Sequence, residues 1–198
     1  MNADSVAYWI TAISTVFLVV AGFKGLNQWK NQIQGQAKLE WARRIVTSAF
    51  DFNEKLNDAR MYAIQPEEYE DRIRQPNETE GLTRILNDYH AKSKRLDGLG
   101  MARNNLQAAT WEGKVVFQND ITVWVEPLEQ DYRELQFAVK NYYNHRYVIL
   151  LEIQDPKDNI ESLQTDYELV SGNTSDAFSI KVREHVKSLL DATERLAK

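Results

Sequence analysis

The side chains best placed to do chemistry are three histidines, His90, His145 and His185. Histidine serves as a general acid or base and as a metal ligand, and both tasks need partners at defined spacing. The three lie far apart in the chain and none belongs to an H-E-x-x-H pair. A carboxylate di-metal site needs E-x-x-H pairs on facing helices. Here Glu112 is followed at that spacing by Val115 and Glu134 by Phe137. The absence of cysteine removes disulfides, thiolate zinc sites, iron–sulfur ligation and thiol nucleophiles. Gly98-Leu99-Gly100 lacks the third glycine of a dinucleotide loop, and there is neither a P-loop nor a G-x-S-x-G elbow. The expectation is no catalytic residue, no cofactor and no metal, with each histidine on the surface or at a helix end.

Two other groups of side chains invite a role. Asp120 sits in the otherwise apolar stretch 115–121. If buried it needs a partner, for which Arg43 or Arg44 is the candidate; the favoured alternative is that it faces solvent. Tyr132, Phe137, Tyr142, Tyr143 and Tyr147 could line a groove, although such stripes more often pack a helical core. A net charge of −5, from 24 basic and 29 acidic residues, leaves no electrostatic footprint for nucleic acid.

The elements that would carry these groups read as all-α. Gly and Pro are scarce, at 8 and 4 in 198 residues, and no strand alternation stands out. Leu26, Trp29, Ile33, Ala37, Ile45, Ala49, Phe52, Leu56 and Ala59 fall near a 3.6-residue spacing, predicting a long amphipathic helix over 26–63. Gly25 and Gly35 are its expected bends. A polar connector over 65–80 precedes a helix over 81–96, and Asp97-Gly98 with Gly100 predicts a turn. A third helix is expected over 101–126, and Pro127 either kinks it or opens a fourth running to about position 151. Positions 155–175 read as a loop with possible short structure. Ser175 or Asp176 caps a last helix whose apolar face is Phe178, Val182, Val186, Leu189 and Leu190.

The N-terminus differs from all of this. Positions 5–23 carry no charge, Asp4 is the only charged side chain before Lys24, and all 24 Lys and Arg lie at or after Lys24. A helix of that length spans roughly 28 Å, close to the hydrocarbon core of a bilayer. Its strongly apolar residues contribute roughly −3 to −5 kcal/mol to insertion. Tyr8, Trp9 and Trp29 suit the headgroup regions, and Lys24 and Lys30 lie where positive charge sets orientation. A signal peptide would carry a basic n-region and a shorter apolar run. The expected organisation is a short external N-terminus at 1–4, a transmembrane helix at 5–23, a juxtamembrane stalk at 24–38 and a helical cytoplasmic domain at 39–198. Both N-x-S/T sequons, at 77–79 and 173–175, are then chance matches. Ala7, Thr11, Thr15 and Gly22 form a seam of small residues through which two such helices could pack.

The run of Trp111-Glu112, Phe117, Asp120, Pro127-Leu128, Leu135 and Tyr142 resembles small uncharacterised bacterial single-pass membrane proteins, as do Trp29-Lys30 in the stalk and Asp176-Ala177-Phe178. The resemblance implies an inner-membrane anchor with a helical cytoplasmic domain and implies no activity. The expected function is a membrane-tethered interaction, scaffold or sensor protein without catalytic activity, anchored in the lipid bilayer and acting through self-association or a cytoplasmic protein partner. The alternative is a membrane-acting effector of a bacterial defence or toxin system that oligomerises through its anchor.

Overall fold

A computed structural model describes residues 3–117, 121–151, 160–172 and 175–197, with side chains described from position 17 onward except at 19 and 160. Among these residues the chain forms five helices: α1 (Ala3–Arg60), α2 (Glu80–Phe117), α3 (Thr122–Leu150), α4 (Ile160–Val170) and α5 (Ala177–Ala197). A single 3-10 turn, Pro66–Glu68, lies in the connector after α1. Helices α1, α2, α3 and α5 close a four-membered ring of neighbours, and α4 packs on α3. Paired residues such as Arg44 with Glu112, Arg103 with Glu129 and Lys181 with Glu134 show each ring neighbour running antiparallel to the next. This is four-helix-bundle packing, with the all-α expectation met at that level.

The long first helix follows its predicted stripe only in part. Ile45, Ala49, Phe52, Leu56 and Ala59 are buried in the core, whereas Leu26, Trp29 and Ile33 are exposed. The bundle begins at Trp41, whose indole Nε1–H donates to the Ala109 carbonyl at 2.8 Å and whose ring meets Phe117 edge-on at 4.7 Å. Gly113 makes room for it: a Cβ there would overlap the Trp41 indole and the tip of Ile121. The helix runs unbroken through Gly25 and Gly35, where bends were expected.

Three further expectations are corrected. The turn at 97–100 is absent, because α2 continues through it. Each mid-helix glycine costs about 1 kcal/mol, but full burial of Leu99 contributes about 1.5–3 kcal/mol. Ala102 and Leu106 extend the same buried face. The helix expected over 101–126 is two elements, since α2 ends at Phe117 and α3 starts at Thr122, with buried Ile121 before it. Apolar residues at helical spacing on both sides of the break imitate one stripe. Pro127 falls inside α3 rather than at its first turn, so it does not open the helix. The short structure allowed for within 155–175 is α4, whose last residue, Val170, is fully buried. Asp176 caps α5 as expected: its Oδ1 accepts the Ser179 amide at 2.8 Å.

The ends of α1 and α4 converge, and both present unpaired carbonyls. Arg60, the last residue of α1, is 2% exposed. Its Nε donates to the Leu169 carbonyl at 2.7 Å and Nη2 to the Glu168 carbonyl at 3.1 Å. Its two Nη atoms grip the Asp176 carboxylate at 3.0 and 2.8 Å, and Nη1 also donates to the Ser179 hydroxyl. From α2, the Lys92 Nζ donates to the carbonyls of Ala59, Met61 and Val170 at 2.9, 2.8 and 3.0 Å. Arg95 donates to the carbonyls of Asp58, Met61 and Ala63 and pairs with Glu68 through Nε and Nη2. That pairing holds the Glu68 carboxyl below its usual range. The guanidiniums use all five donors and the ammonium all three. In the same connector, Arg72 clamps Glu78 at 2.9 and 2.6 Å and, with the Gln75 amide, holds its carboxyl near a pKa of about 2.

This cap predicts that Arg60→Lys, which keeps the charge, still destabilises by about 2–4 kcal/mol, because three donors cannot replace a five-donor fork. The melting temperature should fall by roughly 5–15 °C. A thermal melt unchanged from the parent protein would show that the guanidinium geometry is dispensable.

Candidate functional site

The sequence-selected residues of the N-terminal segment lie along one continuous helix. The side chains of Ala7, Tyr8, Trp9, Thr11 and Thr15 lie outside the described residues, although their backbone belongs to α1. Gly22, Lys24, Trp29 and Lys30 are exposed, and no other described element covers them. Phe17 is 74% exposed and Trp29 63%, with Leu18, Val20, Phe23, Leu26 and Ile33 similarly uncovered. Among the described residues no helix is long and apolar enough to cross a membrane. Most of the expected 5–23 span falls where side chains are not described.

The other sequence candidates separate. Asp120 lies outside the described residues. Arg44 pairs with Glu112 at 2.6 Å, and Arg43 is exposed. The histidines are half-buried within helices rather than at surface or terminal positions. His185 Nδ1 lies 2.7 Å from Asp131, a fully buried carboxylate that also meets Lys181 at 3.0 Å. Asp131 is on α3 while Lys181 and His185 are four apart on α5, so the cluster staples the two helices. His90 and Lys94 share Asp71 at 3.0 and 2.9 Å. The buried Nδ1 of His145 has no hydrogen-bond partner among the described residues. Among those residues no three His, Asp or Glu groups are disposed to hold a metal ion.

The tyrosine cluster divides in an informative way. Phe137 is exposed, and the half-buried Tyr132 ring has the Arg103 guanidinium 5.2 Å from its centre. Tyr142 and Tyr143, however, pack edge-on at 5.1 Å and form one wall of a cavity of about 590 Å³. Tyr62 from the connector and Tyr167 from α4 complete an aromatic lining that the sequence did not suggest. The Tyr142 and Tyr167 rings lie 5.7 Å apart. Arg84, Asp88 and Lys92 reach the cavity from successive turns of α2, and Arg146 from α3. Arg146 stands over the Tyr142 ring at 5.6 Å and meets Asp88 through one contact at 3.5 Å. Burial raises the Asp88 carboxyl, against the pull of Arg146, Arg84 and Lys92. Burial likewise pushes the Tyr143 hydroxyl up, so it stays protonated at neutral pH. The cavity thus sits directly beside the capped ends of α1 and α4.

Comparison with protein-family models, with curated proteins and with solved structures finds no match to this chain. The site therefore rests on its own geometry.

Lys92 gives that geometry a titration. Burial pulls its pKa from 10.5 down to about 7, helped by Arg95 and Arg60 and opposed by Glu68 and Asp88. Between these values the unfolded chain holds a proton that the folded chain releases, so stability rises with pH across the window and Lys92 adds no slope below it. Urea midpoints measured from about pH 6.5 to about 10 should show that rise in the parent protein and a flatter profile in Lys92→Met. Parallel profiles would contradict it.

Proposed function

We propose that the chain is a membrane-tethered helical interaction protein without catalytic activity of its own, working by self-association or by binding a cytoplasmic protein partner. The observation that carries this reading is the uncovered half of α1. A single helix leaves the bundle at Trp41 and continues toward the N-terminus, and its described large apolar side chains, from Phe17 to Leu39, are unpacked. Isolated exposed apolar residues need no explanation, but a contiguous strip this large calls for lipid or protein to cover it. The uncharged 5–23 stretch supplies the length of a bilayer span, and Lys24 and Lys30 favour the orientation with the N-terminus outside and the bundle inside. Trp111, Val115 and Val123 are also exposed, near the end of the bundle from which α1 emerges. They suit a surface facing headgroups. On this reading the chain is of the same kind as the bacterial inner-membrane proteins it resembles.

The Ala7, Thr11, Thr15 and Gly22 seam supports a second reading, an effector of a bacterial defence or toxin system that oligomerises through the anchor and disturbs the bilayer. Induced expression separates the two. The tether reading expects unchanged membrane potential, and the effector reading expects its collapse.

The tether itself is tested by fractionation with protease accessibility. The protein should stay in the membrane pellet after alkaline carbonate extraction, and a C-terminal tag should be protected in intact spheroplasts. Recovery in the carbonate supernatant would end the tether reading, and digestion of the tag would reverse the orientation. Because the chain lacks cysteine, oxidative crosslinking of Thr11→Cys or Thr15→Cys in membranes reports self-association without background.

A further inference from the structure

The cavity between α2, α3, α4 and the connector is not explained by a tether. Its lining combines two chemistries. One is a set of four tyrosine rings, of which Tyr62 is 71% and Tyr167 36% exposed. The other is an excess of cations. Lys92 is committed, since its three protons are on carbonyls. The two guanidiniums are held more loosely, neither in a two-bond carboxylate fork, although Arg146 also lies over the Tyr142 and Tyr143 rings at 5.6 and 6.0 Å. Arg146 makes one contact with Asp88, at 3.5 Å, rather than a two-bond fork. Arg84 is exposed and has no carboxylate at ion-pair distance among the described residues.

We propose that this cavity binds a nucleoside phosphate, with Arg84 and Arg146 on the phosphate and the tyrosine rings on the base. A guanidinium fork matches phosphate oxygens two at a time. Tyrosine faces stack flat heteroaromatic rings without demanding one base. Ser171 and Asp88 add a hydroxyl and a carboxylate to the lining, the groups that pair with sugar hydroxyls. A volume of about 590 Å³ suits a small molecule of this size rather than a protein segment. The ligand would touch the connector after α1 and the end of α4, the two segments held by the Arg60 and Lys92 cap.

The test is calorimetric titration of the full chain in detergent micelles with AMP, GMP, CMP, UMP and ATP, and with adenosine and inorganic phosphate alone. At least one nucleotide should bind saturably, at least about tenfold more tightly than adenosine or phosphate. Arg84→Gln, at an exposed position, should weaken it by about tenfold or more while the circular-dichroism melt stays unchanged. Arg146→Gln is the second variant and should do the same. Absence of saturable nucleotide binding up to millimolar concentration would overturn the proposal. So would phosphate alone binding as tightly as any nucleotide, or affinity unchanged in folded Arg84→Gln and Arg146→Gln. Measured in micelles, the result is independent of whether α1 enters a bilayer.

Discussion

The convergence of two helix C-termini on two buried cations, Arg60 and Lys92, and the half-buried Arg95 is the constraint on which the rest of the structure depends. A helix end carries unpaired carbonyls and roughly half a negative charge, so two such ends meeting inside a protein repel each other and lack donors. Arg60, Lys92 and Arg95 reverse both problems. They supply donors to seven carbonyls, with that of Met61 shared by Lys92 and Arg95, and positive charge to the gap. The same guanidinium that closes α1 also grips Asp176, the residue that caps α5. One side chain thereby sets where α1 stops, where α4 stops and where α5 begins. Gly172 belongs to the arrangement, because a Cβ at that position would collide with the Arg60 guanidinium and the Asp176 carboxylate.

This lock divides α1 into two working parts. From Trp41 to Arg60 it is a core helix whose inner face is buried against α2 and α5. Before Ala37 its side chains stand clear of the bundle as far as they are described. A continuous helix joins them, so a force or contact at the N-terminal part reaches the capped end without passing a flexible joint. The tyrosine-lined cavity opens at that end. A ligand there would touch the connector that follows α1, next to the capped end of the helix whose other end a partner would meet.

The sequence was readable wherever one helix face decided the outcome. Ile45, Ala49, Phe52, Leu56 and Ala59 lie inward as their spacing requires, and Asp176 caps α5 as its position before an apolar run suggests. It was misleading where tertiary packing outweighed local preference. Gly98 and Gly100 look like a turn, but Leu99 between them is wholly buried and the helix holds. The non-helical Ile121 ahead of α3 was hidden because apolar residues on α2 and α3 continue one another's period. The cation cap was visible in one respect only. Lys92 interrupts the stripe formed by Ile85, Tyr89, Leu96 and Leu99, and a charge on an apolar face is a sign of a buried partner. Its partners, carbonyls from distant segments, have no sequence signature. The cavity joins residues from four segments and was likewise out of reach.

The division of α1 is the claim from which the functional reading follows. Its most direct measurement is labelling of single cysteines by a membrane-impermeant maleimide in inverted membrane vesicles, which expose the proposed cytoplasmic side. The chain has no native cysteine, so Val20→Cys, Asn31→Cys and Ala49→Cys each report one position. The account predicts protection at position 20 by lipid, rapid labelling at 31, and protection at 49 until the bundle is denatured. Rapid labelling at 20 would place the helix in water, and protection at 31 together with labelling at 49 would contradict the division itself.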